Sequence, residues 1–316
     1  MIKMTFSVQR AATKIKNKYK TVFWMLLKYI LLIELAFTIL FPLFSQFTST
    51  FMNETDLMDQ TVEYFSKSPS LDNYSFIIEH TSYFAGLLNS VLLCTMTSLF
   101  TMLSAALCGY GFAKFKFKGK LFMFGVVILS IVIPPQTVML SLFSKFRYFD
   151  VFGLIRLFTG ETVMMTGSFL PMAILSLTGF GFRGGLFIFL MRQFYSGLPK
   201  ELLEAAYVDG ANVYRTYFSI VFPLGRTLMV TVFLLSFSWM WTDTFYANIL
   251  YSDIDIVSRI ISQSQYIGSS GVIQGTLVSG MYVNTATILV LIPLLIIFIA
   301  GQKFMVEGIE NSGIVG

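Results

Sequence analysis

The sequence is poor in the residues from which soluble active sites are built. Only 12% of its 316 residues are charged, and it has one histidine, His80, and two cysteines, Cys94 and Cys108, which share one apolar stretch. Cysteines so placed are packing residues and exclude a disulfide framework. His80 has no histidine or cysteine cluster to complete a metal site, so no metal ligands are expected. There is no Gly-x4-Gly-Lys-Ser/Thr phosphate loop, no His-Glu-x-x-His, no Gly-x-Ser-x-Gly and no pair of carboxylates within an apolar stretch. An enzyme is therefore not expected. No catalytic residue is assigned, no cofactor is expected on this chain, and any nucleotide must be bound by another polypeptide.

What the sequence has in excess is apolar surface. At 55% hydrophobic residues and a mean hydropathy of +0.73, it holds more than a soluble domain of this length could bury, so membrane lipid must surround it. A bilayer core of about 30 Å takes roughly 20 apolar residues of helix. Six stretches meet that length: Val22–Phe44, Phe84–Phe112, Leu121–Phe143, Val163–Met191, Pro223–Trp241 and Met281–Phe304. The expected fold is an all-α membrane protein of six transmembrane helices. Residues 1–21 form a basic N-terminal arm, residues 22–316 the transmembrane domain, and residues 305–316 a tail. The first span follows a basic arm as a signal peptide does, but its apolar run is too long and no small-residue cleavage site follows.

Lysine and arginine are distributed unevenly among the loops. The arm (Lys3, Arg10, Lys14, Lys16, Lys18, Lys20), the loop after the second span (Lys114, Lys116, Lys118, Lys120), the loop after the fourth (Arg192, Lys200, Arg215, Arg226) and Lys303 place fifteen on one side, against five on the other. The fifteen-residue side is expected to be cytoplasmic, with both termini, in a bacterial cytoplasmic membrane. The same clustering beside apolar runs explains the pI of about 9.1 without nucleic acid. Glu54, Asp56, Asp59, Glu63, Asp72 and Glu79 suit a solvated outer loop, and the last external segment, 243–280, is expected to contain a short helix. Pro134, Pro135 and Pro293 fall inside spans and predict bends. Ala105 and Gly109 form a small-xxx-small pair that permits close helix contact.

The loop at 192–226 is the most specific part of the chain. Pro199 suits a first helical turn, Glu201 and Glu204 sit near the positive helix end, and Asp209-Gly210 is a natural stop, which predicts a helix of about ten residues. Leu202, Leu203, Ala205, Ala206 and Tyr207 make that helix unusually apolar for a water-exposed loop, so it needs a surface to dock into. Asn212 to Phe222 has helical spacing and leads into Pro223.

Glu204-Ala205-Ala206, three residues, Gly210, nine residues, Ile220, one residue and Phe222-Pro223 resemble the EAA loop of binding-protein-dependent importers, EAA-x3-G-x9-I-x-LP, with Phe222 in place of leucine. Leu71-Asp72-Asn73-Tyr74, Asn89-Ser90, Ile133-Pro134-Pro135-Gln136, the run Gly185 to Phe194, Trp241-Thr242-Asp243 and Val306-Glu307-Gly308 resemble, in order, stretches of the maltose-type carbohydrate permeases. Thr242 stands where the family usually has asparagine, and Ile314-Val315-Gly316 end a tail that is usually basic there. The resemblance implies a type I ABC importer permease fold whose EAA loop docks into a separate ATPase dimer. It implies ATP and magnesium on that ATPase, a second permease subunit forming a heterodimer, an extracytoplasmic solute-binding protein and a carbohydrate substrate.

By that resemblance, Glu201, Glu204, Ala205, Ala206, Asp209, Gly210, Ile220 and Pro223 couple the ATPase to transport. Arg183, about 13 Å deeper than Arg192 if helical, needs a partner, a cavity or water, and Glu34 is a possible counter-ion. Arg183, Asn89, Trp239, Trp241 and Asp243 are the substrate-pathway candidates, since sugar sites combine aromatic faces with polar groups; an interfacial aromatic belt is the simpler explanation of the tryptophans. A peptide or phosphate importer and a secondary transporter remain the alternatives.

Overall fold

The computed structural model describes residues 2–269 and 275–313, and the side chains of residues 20–267 and 278–304. Helix α1 (Ile2–Ser49) runs without a break through the expected arm boundary. Its apolar 20–49 portion is exposed on almost every face, and it meets the rest of the protein mainly at its C-terminal end. There Asn284 Nδ2 donates to Ser49 Oγ at 2.9 Å, and Asn73 Nδ2 donates to the carbonyls of Thr50 and Met52 at 2.8 Å each. The loop that follows carries α2 (Glu54–Met58) and α3 (Asp72–His80). Asp59, an acceptor from Lys67 Nζ there, is held well below the usual carboxylate range by that bond. His80 stacks on Phe76.

Helix α4 (Tyr83–Lys114) is the central strut, with an apolar core at each end. α5 (Lys120–Val132) and α6 (Pro135–Arg147) follow, bent by 104° at Pro134-Pro135, as the paired prolines predict. Thirteen residues make α5 only about 20 Å long, short of a bilayer core. After α7 (Leu154–Thr159) come α8 (Leu170–Leu177) and α9 (Gly184–Gly197). The fourth expected span is thus corrected: Val163–Met191 is not one helix, because the glycine-rich run from Thr178 to Gly185 breaks it. The loop carries α10 (Lys200–Val208), α11 (Val213–Thr216), a π-helical turn (Tyr217–Val221) and α12 (Phe222–Leu224), then bends by 70° into α13 (Arg226–Trp241). α14 (Phe245–Leu250) and α15 (Val257–Ser269) lie in the segment 243–280, where one short helix was expected.

Helix α16 (Gly275–Gly313) stays continuous through Pro293, where a bend was expected. Proline removes the N–H that would bond the carbonyl four residues back and crowds its neighbour. Those carbonyls, of Leu289 and Val290, each accept a buried side-chain donor: Tyr83 Oη at 3.0 Å and Trp241 Nε1 at 3.0 Å. The proline break is thereby turned into a junction between α16, α4 and α13. Among the described residues three helices are long and apolar enough to cross a membrane, or five if each bent pair is one span. The expected count of six is not confirmed, since α8 ends at Leu177 and α9 begins only at Gly184.

Candidate functional site

The loop helix α10 presents two faces. Leu203 and Ala206 are buried against the body of the protein, while Leu202, Ala205, Tyr207 and Val208 stay exposed beside Glu201 and Glu204. Val208 is 87% exposed and Tyr214 and Phe218 beyond it 77% and 61%, so the tip of the loop is an uncovered apolar surface with an acidic rim. The helix ends as its sequence predicts. Gly210 adopts φ +78°, its N–H donates to the carbonyl of Tyr207 at 3.1 Å, and the N–H of Ala211 donates to that of Ala206 at 2.9 Å. This is a Schellman stop. Asn212 Oδ1 then accepts from the N–H of Arg215 at 2.8 Å, starting α11.

The loop is fixed to the membrane helices from beneath. Lys114 Nζ, at the end of α4, donates to the carbonyl of Leu198 at 2.9 Å. Tyr110, Tyr195 and Tyr217 pack as a buried aromatic block, with ring centroids 5.8 Å apart for Tyr110–Tyr195 and 4.9 Å for Tyr110–Tyr217. Ile220 is half-buried and Pro223 exposed at the elbow into α13. Neither the tyrosine block nor the π-turn was legible in the sequence, since apolar spacing there reads as ordinary helix.

The pathway candidates divide. Arg183 and Asp243 both line a cavity of ≈ 410 Å³ at the Pro134-Pro135 bend, with Gln136, Ser130, Phe182 and Phe245 in the same wall. Arg183 sits at the break before α9 in a left-handed conformation, φ +56°, with its guanidinium carbon 4.3 Å from the centroid of Trp239. It forms no ion pair with Glu34, which lies exposed on α1; the one ion pair among the described residues joins Lys67 to Asp59. Asp243 Oδ2 accepts the N–H of Tyr246 at 2.8 Å, anchoring the start of α14 in the wall.

Two candidates fall elsewhere. Asn89 Nδ2 donates to the carbonyl of Asp255, and Ser90 Oγ accepts from the N–H of Val257, so this pair seats α15 on α4. Trp241 is 1% exposed in the core, with its indole N–H on Val290. Trp241→Phe is expected to leave that bond unmade and lower stability by about 1–3 kcal/mol. A fall in the detergent melting temperature, with solute uptake by the surviving protein unchanged, is the outcome to look for.

Residues 102–310 match the binding-protein-dependent transport system inner membrane component family. The chain belongs to that family. Among relatives, it is similar to the arabinooligosaccharides transport system permease protein AraQ of Bacillus subtilis, at 26% identity over 89% of this chain and 92% of the relative. It is also similar to the melibiose/raffinose/stachyose import permease protein MelC of Bacillus subtilis, at 23% identity over 78% and 82%. The sn-glycerol-3-phosphate transport system permease protein UgpE of Yersinia pestis is 26% identical over 90% and 95%. In fold it resembles a chain of a bacterial ABC transporter that imports the acidic polysaccharide alginate, with a TM-score of 0.69 at 16% identity over 89% of this chain and 95% of that one. Membership makes the chain a transport component of the inner membrane, and the EAA-like loop and the cavity at the Pro134-Pro135 bend are the features of this member that ask for a role.

Proposed function

We propose that the chain is one transmembrane subunit of an ATP-binding-cassette importer that moves a carbohydrate delivered by an extracytoplasmic binding protein. The observation that carries this reading is α10: a short apolar helix, exposed at its tip, ended by a left-handed glycine and held from below by Lys114 and the tyrosine block. An uncovered apolar surface rimmed by Glu201, Glu204 and Asp209 suits insertion into a cleft of a partner with a basic rim. That partner is a dimeric ATPase carrying ATP and magnesium, and a second permease subunit, in a heterodimer, completes the pathway. The basic residue bias supports a cytoplasmic side for α10 and both termini. ATP-driven closure of the ATPase would move α10 and swing the spans about their breaks.

For the substrate, the cavity offers a guanidinium, a carboxylate, an amide and a hydroxyl between aromatic rings, the mixture that binds sugar hydroxyls and pyranose faces. The arabinooligosaccharide and melibiose relatives support the same class. The test is reconstitution of the chain with its ATPase and binding protein in vesicles. Neutral oligosaccharides should stimulate ATP hydrolysis and accumulate inside, and Arg183→Met should cut uptake at least about tenfold, a loss of about 1.4 kcal/mol of binding or transition-state energy, with the ATPase still bound. Stimulation by a peptide or by phosphate and by no sugar, or uptake without the ATPase, would refute it.

A further inference from the structure

The turn between α4 and α5 reads Lys114-Phe-Lys-Phe-Lys-Gly-Lys120, four lysines in seven residues, and no acidic residue occurs from Glu79 to Asp150. A surplus of positive charge is enough to orient a span, but the structure shows more than a surplus. Phe115 and Phe117 fold back on the end of α4, with rings 5.4 Å from Tyr110 and 6.1 Å from Phe112, and remain about 40% exposed. Lys114 Nζ and Lys120 Nζ are committed to the carbonyls of Leu198 and Phe115 at 2.9 Å each. Lys116 and Lys118 are exposed, and among the described residues neither bonds to the protein. Two spare ammonium groups thus alternate with half-exposed aromatic rings at the membrane edge, on the side that bears α10. Aromatic rings seat at the headgroup level, and juxtamembrane lysine clusters attract anionic lipid phosphates.

We propose that this turn is a binding site for anionic phospholipid headgroups. Lys116 and Lys118 bind the lipid phosphate, and Phe115 and Phe117 pack against the glycerol and upper acyl chain. Because Lys114 joins the same turn to Leu198, two residues before α10, the bound lipid steadies the base of the loop. The proposal does not depend on which solute is carried.

The test is native mass spectrometry of the full chain, purified in its assembled form and titrated with dioleoylphosphatidylglycerol or dioleoylphosphatidylcholine. Phosphatidylglycerol should bind more tightly, and K116Q and K118Q should each weaken it about fivefold, the equivalent of about 1 kcal/mol per basic residue near an anionic surface. The arginine variants K116R and K118R should retain wild-type binding, and the melting temperature of all four should match wild type. Equal binding of the two lipids, or unchanged phosphatidylglycerol binding in the K116Q/K118Q double variant, would overturn the proposal. Displacement of the lipid by millimolar inorganic phosphate would overturn it too, by showing a site for soluble anions. So would loss of a partner subunit from the double variant with lipid binding intact, since the turn would then be a protein contact.

Discussion

Gly210→Val is expected to cut ATP-driven uptake by the reconstituted complex severely while leaving the chain folded in the membrane. At φ +78° the backbone of residue 210 is left-handed, which costs an ordinary L-residue about 1–2 kcal/mol and a β-branched one more. No atom lies within 4 Å of where a Cβ would stand, so the effect is purely conformational. The strain is relieved by undoing the stop, which releases the N–H bonds to Ala206 and Tyr207 and lets α10 run on or fray. The apolar tip formed by Leu202, Ala205 and Val208 then loses its fixed presentation. Uptake and substrate-stimulated ATP hydrolysis should both fall by tenfold or more, about 1.4 kcal/mol or above. Gly210→Asn, whose side chain tolerates the left-handed region, should stay near wild type. Full activity in the valine variant would show that the stop of α10 has no part in coupling.

Gly109→Leu is expected to have the largest effect on folding. A Cβ at residue 109 would lie 2.6 Å from Cβ of Met191 and 2.8 Å from the backbone nitrogen of Arg192, so α4 and α9 touch backbone to backbone at this point. Membrane helices associate through such close packing, there being no hydrophobic gain in leaving lipid for another apolar surface. Forcing the pair apart also loosens Ala105, Ala106 and Phe187 in the core at this end of α4. The overpacking alone costs about 1–3 kcal/mol, and the lost contacts add to it. Melting in detergent should drop sharply for leucine and by an intermediate amount for alanine. An unchanged melting temperature in both would mean that the two helices do not pack at residue 109.

The elements that could be read in the sequence are those whose determinants are local. Pro199, Glu201 and Gly210 bracket α10 within twelve residues, and the helix runs between them as Lys200–Val208. Pro134-Pro135 marks its bend by removing backbone donors on the spot. The cavity was only half legible, because Gln136, Arg183 and Asp243 are brought together by packing between distant segments. Trp239 and Trp241 show the difficulty within one helix. α13 is apolar nearly all round, so periodicity does not say which tryptophan backs Arg183 and which is sealed in the core. Asn89 is ambiguous for a similar reason: a polar residue in a span invites a pathway role, and the sequence does not show that its amide donates to the Asp255 carbonyl. Hydropathy also carried the fourth span straight across the glycine run, since an average over residues is blind to the conformation of the backbone.

The manner in which α1 is attached has a mechanical consequence. Its polar clasps gather at one end, at Ser49, Thr50 and Met52, while the long apolar shaft touches little else of its own chain. Among the described residues, a displacement of the remaining helices is therefore passed to α1 mainly at that end, like a mast stayed at the masthead.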